Sequence, residues 1–167
     1  DKGKTLKIIL SVLSKDYYIP QPQILNSKNF GLPQNRARIF IVGIRKNLKK
    51  KENFIFPIGS NKETIINRIL EKNVDKSFQI SRRLWTSHQK RKKRNLINGK
   101  GFGYSLFDGK EGYTRTLSAR YYKDGSEILI KTKELPRKLT PRECANLQGF
   151  PKSFQICSSN AQSYKQF

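Results

Sequence analysis

The sequence predicts an α/β fold: the end of a sheet domain, then a small, mostly β or irregular segment, then a C-terminal helical segment. Three observations carry this. Leu6, Ile9, Leu10 and Leu13 recur at helical spacing. Ile39-Phe40-Ile41-Val42-Gly43-Ile44 is a nearly continuous apolar run between Arg38 and Arg45, the pattern of a strand buried on both faces beneath helices. After Lys46 the composition turns basic, until Thr140-Pro141-Arg142-Glu143 spells the start of a helix: a Thr N-cap, Pro at the first helical position and Glu two residues on, a capping box.

The chain has 167 residues, about one domain's worth or one and a small second. Lys and Arg number 35 against 12 Asp and Glu, a formal charge of +23. Such a charge points to a polyanion, most simply nucleic acid. The apolar share of 35% is lean for a self-sufficient globule, while ten Phe, seven Tyr and one Trp are too many for simple disorder. No window approaches the ~20 apolar residues of a membrane span, and no secretory signal is visible in these residues. Two Cys and one His build neither a disulfide framework nor a four-ligand zinc site, so no metal is expected. The chain contains no Met. It is expected to be an internal piece of a longer protein, whose missing surface completes the lean core.

Taken in order, Leu6 to Leu13 reads as a helix, broken by Pro20 and Pro22. Ile24-Leu25 is a short strand, and residues 39 to 44 form the buried one. Lys46 to Lys51 holds four Lys, and residues 54 to 59 read as a connection. Ser60 to Leu70 fits one helix with Ile65, Ile66, Ile69 and Leu70 as its apolar face. Arg82 to Arg94 carries seven Lys or Arg in 13 residues, together with His88. A Gly-rich aromatic stretch, residues 99 to 107, follows. Short β-prone segments cover residues 113 to 117 and 127 to 130, with Lys123-Asp124-Gly125 as a turn. The Thr140 helix is expected to reach about Gln148 and stop at Gly149.

Most enzyme constellations fail on these residues. Cys144 lies inside a predicted helix and Cys157 in a polar tail. Neither has a neighbouring His, so both read as structural. Gly99, Gly101 and Gly103 lack the last glycine of a dinucleotide loop and its strand-to-helix context; they read as a flexible loop that lets backbone approach a ligand. Carboxylates show no spacing suited to acid–base work. The Arg82–Arg94 run reads as a solvated, phosphate-facing helix or loop. Arg115 and Arg120 flank Thr116-Leu117-Ser118-Ala119 among tyrosines, and composition alone leaves guanine contact and surface ion pairing equally open. Arg36 and Arg38 precede the apolar strand and alternate onto one side, so one cleft can use both.

At this point the sequence shows a resemblance. Phe30-Gly-Leu-Pro-Gln-Asn-Arg-Ala-Arg-Ile-Phe-Ile-Val-Gly-Ile-Arg45 resembles the eighth conserved block of DNA (cytosine-5) methyltransferases, built on a Gln-x-Arg-x-Arg core. Arg137-Lys-Leu-Thr-Pro-Arg-Glu-Cys-Ala-Asn-Leu-Gln-Gly-Phe-Pro151 resembles the ninth, and Ala161-Gln-Ser-Tyr-Lys-Gln-Phe167 the run-up to the tenth. Three blocks in order weigh against a general basic nucleic-acid binder. The resemblance implies residues 1–48 as the end of a Rossmann-like methyltransferase sheet domain, 49–136 as the target recognition domain, and 137–167 as the ninth block and start of the tenth. Residues 99–107 and 114–130 are further similar to the Dcm-like subgroup, which methylates the second cytosine of CCWGG or CCNGG.

Roles follow from the resemblance. The family flips a cytosine from double-stranded DNA, adds a Cys thiolate to C6, moves a methyl group from S-adenosylmethionine to C5 and releases the C5 proton. Arg38 is expected to hold cytosine O2, Arg36 to contact phosphate beside the flipped nucleotide, and Gln34 to support the same site. The loops 99–107 and 114–125 are expected in the major groove, with Lys100, Tyr104, Arg115, Ser118, Arg120, Tyr121 and Lys123 as DNA-binding candidates. Arg137 and Glu143 are expected to brace the recognition domain, and Ser163 and Tyr164 to lie near the cofactor side. The Phe-x-Gly-x-Gly, Pro-Cys and Glu-Asn-Val blocks are missing. The main S-adenosylmethionine residues and the nucleophilic Cys are therefore expected in an N-terminal catalytic half, on the same polypeptide or a separate subunit. The chain alone is expected to be inactive. The resemblance implies a cytoplasmic, DNA-associated bacterial protein of a restriction–modification system, without a membrane anchor. The alternative is a non-catalytic, sequence-specific DNA-binding module, or one subunit of a split methyltransferase.

Overall fold

The computed structural model describes residues 3–48, 54–60, 62–157 and 159–167. Helix α1 spans Lys4–Leu13, as its apolar spacing predicts. Strand β1 (Tyr17–Tyr18), β2 (Gln23–Asn26), β3 (Ala37–Phe40) and β4 (Ile44–Arg45) follow. β2 and β3 form an antiparallel hairpin with Gln23 opposite Phe40 and Asn26 opposite Ala37, and β1 pairs with β4. The hairpin connection is held by Asn26, whose side-chain oxygen accepts the N–H groups of Lys28 (3.3 Å) and Arg36 (3.0 Å).

Burial corrects the expectation for residues 39 to 44. The strand ends at Phe40, and Ile39 and Phe40 are 48% and 46% exposed. No residue of α1 is buried either, and of residues 3–48 only Pro33 and Gln34 are. A strand is buried on both faces only when a layer covers each; the described residues supply β2 alongside β3 but no such layers. Apolar residues such as Ile8, Ile24, Ile39 and Phe40 are therefore exposed in this chain.

The second region holds the core. Helix α2 covers Arg82–Ile97, capped by the Ser81 hydroxyl on the Leu84 N–H at 3.2 Å. Strand β5 (Leu106–Phe107), the short helix α3 (Tyr121–Asp124), β6 (Leu129–Ile130), β7 (Arg137–Lys138), α4 (Pro141–Leu147) and α5 (Asn160–Gln166) complete it. β5 runs parallel to β6, and β6 antiparallel to β7. Ile66, Ile69, Leu117, Tyr121, Ile128, Ile130, Leu139, Cys144, Leu147 and Tyr164 form one cluster. The expected capping box opens α4: Thr140 caps the Glu143 N–H at 3.1 Å and Glu143 returns the bond at 2.8 Å.

Two local expectations are corrected. The predicted helix over 60–70 is a single 3-10 turn, Ile66–Arg68; residue 61 lies outside the described residues. Ile65 is extended, and Ile66 and Asn67 donate their N–H groups to Glu111 and Gly109 at 2.9 Å. These long-range bonds take donors that a helix would use locally, while Ile66 and Ile69 still reach the core. Residues 113–117 contribute one isolated bridge, Thr114 to Gln34, rather than a strand. Of the four-lysine run, Lys49 to Lys51 lie outside the described residues. Among the described residues no helix is long and apolar enough to cross a membrane.

Candidate nucleic-acid interface

Helix α2 has two faces. Arg82, Arg83, Lys90, Lys93 and Arg94 are exposed, while Trp85, His88 and Arg91 turn toward the glycine-rich loop. The Trp85 and Tyr104 rings meet edge to face at 4.9 Å between centroids, and Lys92 Nζ sits 4.5 Å from the Tyr104 ring. Gly103 shows why the loop needs glycine: at φ +76° an added Cβ would lie 2.7 Å from Lys92 Cα. The close backbone approach permitted by this glycine is to α2.

Beside this seam lies a cleft of about 680 Å³ lined by Asn35, Lys92, Phe102, Tyr104, Tyr113 and Arg115, among others. Arg115 is the best-oriented cation in it. Its Nε donates to the Ser105 hydroxyl at 2.7 Å and its guanidinium stacks 4.1 Å from the Phe102 ring. A guanidinium held by Nε and one face keeps its two Nη groups for a further partner. Lys100, Arg120 and Lys123 are exposed around the same loops; Tyr104 is half-buried.

Arg36 and Arg38 share a shallow pocket of about 370 Å³ with Leu25, Ser27, Phe30, Phe40 and Pro57. Partial burial lowers the Arg36 pKa, and the neighbouring Arg38 charge lowers it further. Arg38 Nη1 donates to the Ala37 carbonyl at 2.7 Å. Arg36 is committed inward: its Nη1 donates to the Leu117 carbonyl at 3.2 Å.

The segment carrying these arginines is sewn to the segment carrying Arg115. Thr114 N–H donates to Pro33 O (2.8 Å) and Asn35 N–H to Thr114 O (2.9 Å). The Thr116 hydroxyl reaches Asn35 O at 2.8 Å, and Leu117 N–H reaches Gln34 Oε1 at 3.3 Å. Gln34 is 1% exposed, so it stands behind the arginines instead of lining their pocket.

Other candidates are placed differently. Tyr121 is 1% exposed; its hydroxyl donates to Ile128 O and accepts Leu139 N–H, both at 2.7 Å. It is a core residue whose polar end is used up, which corrects its assignment to the groove. Ser118 donates to Glu127 Oε1 and accepts the Arg120 N–H, so it shapes the loop from within. Arg137 and Glu143 form a buried two-pronged pair at 2.7 and 2.8 Å. Ser163 and Tyr164 are also buried: Ser163 donates to the backbone at Cys157 and Ser159, and Tyr164 to Leu139 O. Both hydroxyls are thus engaged within the chain. Burial pushes the Cys144 thiol well above its ordinary range, and Cys157 is exposed.

Sequence reasoning missed His88 and Arg91. His88 was lost in a charge run, yet it is 1% exposed. The 4-3-4 spacing of Leu84, His88, Arg91 and Asn95 marks the inward face of α2 and was the available signal.

Comparison with known proteins places this arrangement. The family model described as "C-5 cytosine-specific DNA methylase" matches residues 1–167. The chain is 52% identical over 169 residues to Type II methyltransferase M1.ScrFI of Lactococcus lactis subsp. cremoris, covering all of this chain and 43% of the relative. It is 34% identical over 203 residues to the DNA-cytosine methyltransferase of Escherichia coli (strain K12), again covering all of this chain and 43% of the relative. The fold superposes on the crystal structure of S. pombe Dnmt2 methyltransferase with a TM-score of 0.68 at 18% identity, over 97% of this chain and 54% of that one. The chain thus spans about half the length of these relatives. Its mixture of helices and small sheets is that of a partial α/β methyltransferase, and the chain belongs to the C-5 cytosine-specific DNA methylase family.

Proposed function

We propose that this chain is the DNA-recognising and cytosine-holding part of a type II DNA (cytosine-5-)-methyltransferase of a restriction–modification system. The observation that carries the reading is the hydrogen-bonded seam between residues 33–36 and 114–117. It joins a two-arginine pocket to a loop that holds an arginine poised for base contact. In this reading the domains divide as 1–48, 49–136 and 137–167, and double-stranded DNA lies along the Arg115 cleft with the charge of α2 on phosphates.

Each residue then has a defined task. Arg38 donates to O2 of a flipped cytosine and stabilises the electron-rich ring after thiolate addition at C6. Arg36, tied to Leu117 O, presents its remaining donors to the phosphate beside that nucleotide. Arg115 offers Nη1 and Nη2 to guanine O6 and N7, with Lys100, Tyr104, Arg120 and Lys123 around it. A CCWGG or CCNGG target fits a reader of guanines. S-adenosylmethionine supplies the methyl group to the complete enzyme. The hydroxyls of Ser163 and Tyr164 are engaged internally, which agrees with a donor site formed by other residues of the complete protein. Its bacterial relatives support a DNA-associated protein of the bacterial cytoplasm.

Methyl transfer by the complete polypeptide to duplexes containing CCWGG, CCNGG or scrambled sites, mapped by bisulfite conversion, tests this. Donor-dependent methylation confined to one site supports it. Specific binding with no methylation would favour a non-catalytic DNA-binding module instead.

A further inference from the structure

The two loops that flank the Arg115 cleft are not joined to α2 through apolar contact alone. Arg91 donates from Nη1 to Asp124 Oδ2 at 3.1 Å and from Nη2 to Gly103 O at 2.9 Å. It thereby holds the loop 99–107 and the end of the loop 114–125 with one fork. His88, one turn earlier, lies 3.2 Å from Asp124 O through Nε2 and 3.0 Å from Arg91 Nη2 through Nδ1.

These partners fix the protonation state of His88. A carbonyl accepts only, so Nε2 must carry hydrogen; a guanidinium donates only, so Nδ1 must be the bare acceptor. Only the neutral Nε2–H tautomer satisfies both. A second proton on Nδ1 would point an N–H at the Arg91 fork and place a positive charge beside it. The other groups facing the ring are Asp124 and Glu127 and the Tyr104 ring, 6.4 Å away between centroids. Burial is the largest influence on the ring and lowers its pKa; Arg91 lowers it too, while the Asp124 carbonyl and the charges of Asp124 and Glu127 oppose.

We propose that His88 and Arg91 act as a positioning lock for DNA site discrimination, closed while His88 is neutral and released when it takes up a proton. The connection to the reading residue is short. Gly103 lies two residues before Ser105, whose hydroxyl receives Arg115 Nε–H and whose N–H donates to Ser126 O at 2.9 Å. Releasing Arg91 from Gly103 frees the wall of the cleft that carries Phe102, Tyr104 and Ser105, and releasing it from Asp124 loosens the turn whose Ser126 carbonyl holds the Ser105 N–H. Neither His88 nor Arg91 is placed on DNA; they act through the loops. The inference rests on the DNA-recognition reading above.

The test measures affinity of the complete protein for cognate and scrambled duplexes by fluorescence anisotropy between pH 5.5 and 8, at fixed salt. The readout is the ratio of the two affinities, from which general charge effects cancel. The ratio is expected to be constant above the ordinary His value of about 6.5 and to fall below it. His88→Gln offers one donor and one acceptor and never charges. It is expected to keep the ratio at pH 8 and lose the pH dependence. His88→Leu and Arg91→Lys are expected to lower the ratio about tenfold at every pH, within the worth of one bidentate base contact. If His88→Leu does not fold, the His88→Gln profile decides alone. A parental ratio that is flat with pH, or a His88→Gln profile that still falls, overturns the lock. No preference for any duplex at pH 8 overturns the DNA-recognition reading itself.

Discussion

Gln34 and Leu117, 83 residues apart, are joined by a buried hydrogen bond from the Leu117 N–H to Gln34 Oε1 at 3.3 Å. The other end of the same amide lies 3.5 Å from Leu147 O on α4. One side chain therefore ties the arginine segment to the loop 114–117 and to the main core. A buried N–H without a partner costs about 1–3 kcal/mol, so Gln34→Leu is expected to destabilise the protein by that amount. Urea denaturation checks it. Unchanged stability with weakened DNA binding would instead make Gln34 a substrate contact.

Arg38 is exposed and Arg36 is committed to Leu117 O. The two substitutions should separate. Arg38→Ala is expected to reduce methyl transfer far more than it reduces DNA binding, because its donors matter once charge builds on the cytosine ring. Arg36→Ala is expected to weaken both, since it also removes a bond across the seam. Single-turnover rates on saturated complexes, beside binding isotherms, distinguish them. Loss of binding by Arg38→Ala with unchanged turnover per bound complex would remove it from the reacting base.

Both arginines are exposed, but Arg115 is held by Ser105 and Phe102, and among the described residues the Arg120 side chain has no such frame. Arg115→Ala is expected to cost about 1–3 kcal/mol on the cognate duplex and less on a scrambled one, the mark of a base contact. Arg120→Ala is expected to weaken both duplexes alike and reduce the salt slope by about 1, as a phosphate contact does. Competition binding at several salt concentrations measures both quantities. Equal loss on both duplexes for Arg115→Ala would make it another phosphate contact.

Local sequence signals and structure agree where the determinants are local. The spacing of Leu6, Ile9, Leu10 and Leu13, the Thr140–Glu143 capping box and the stop at Gly149 need only neighbours within a few residues, and α1 and α4 follow them. Arg36 and Arg38 share one pocket, as their spacing of two residues suggests, although Arg36 lies just before β3. Agreement ends where partners are distant. Ile65 to Leu70 have helical spacing, but Glu111 and Gly109 capture the N–H groups of Ile66 and Asn67. Tyr121 stands among exposed-looking tyrosines, yet Ile128 and Leu139 claim its hydroxyl. Nothing in the local pattern near Ile39 reveals that the described residues leave this strand without covering layers. His88 was concealed by the charges around it, although its face of α2 could be counted.

The two cysteines of this chain should differ sharply in reactivity. The thiolate is the reactive form, and burial beside Glu143 keeps the Cys144 thiol protonated. Cys157 is exposed. Brief treatment of the native protein with iodoacetamide at pH 8, followed by peptide mass spectrometry, is expected to modify Cys157 and spare Cys144. Denaturation in urea should make both react. Native labelling of Cys144 would show that α4 opens readily, which the packing of this helix against α5 and the core does not anticipate.

Glu143 is the polar centre of that core. Its two carboxylate oxygens accept the Arg137 fork at 2.7 and 2.8 Å, the Thr140 N–H at 2.8 Å and the Glu71 N–H at 2.8 Å. All four partners are donors, which no neutral side chain of this shape can receive: Glu143→Gln would turn an NH2 group toward at least one of them. It also leaves the Arg137 charge buried without its counter-charge, and breaking such a pair costs about 3–5 kcal/mol. The loss should be concentrated where the carboxylate acts. Hydrogen exchange at the Thr140 and Glu71 amides is expected to accelerate at least a hundredfold in Glu143→Gln, since 1.4 kcal/mol corresponds to about tenfold. Arg137→Met should accelerate the same two amides, because the orphaned carboxylate is drawn toward water. If both amides keep their protection in either variant, the pair is peripheral to the stability of this region and the recognition loops are braced by the apolar cluster alone.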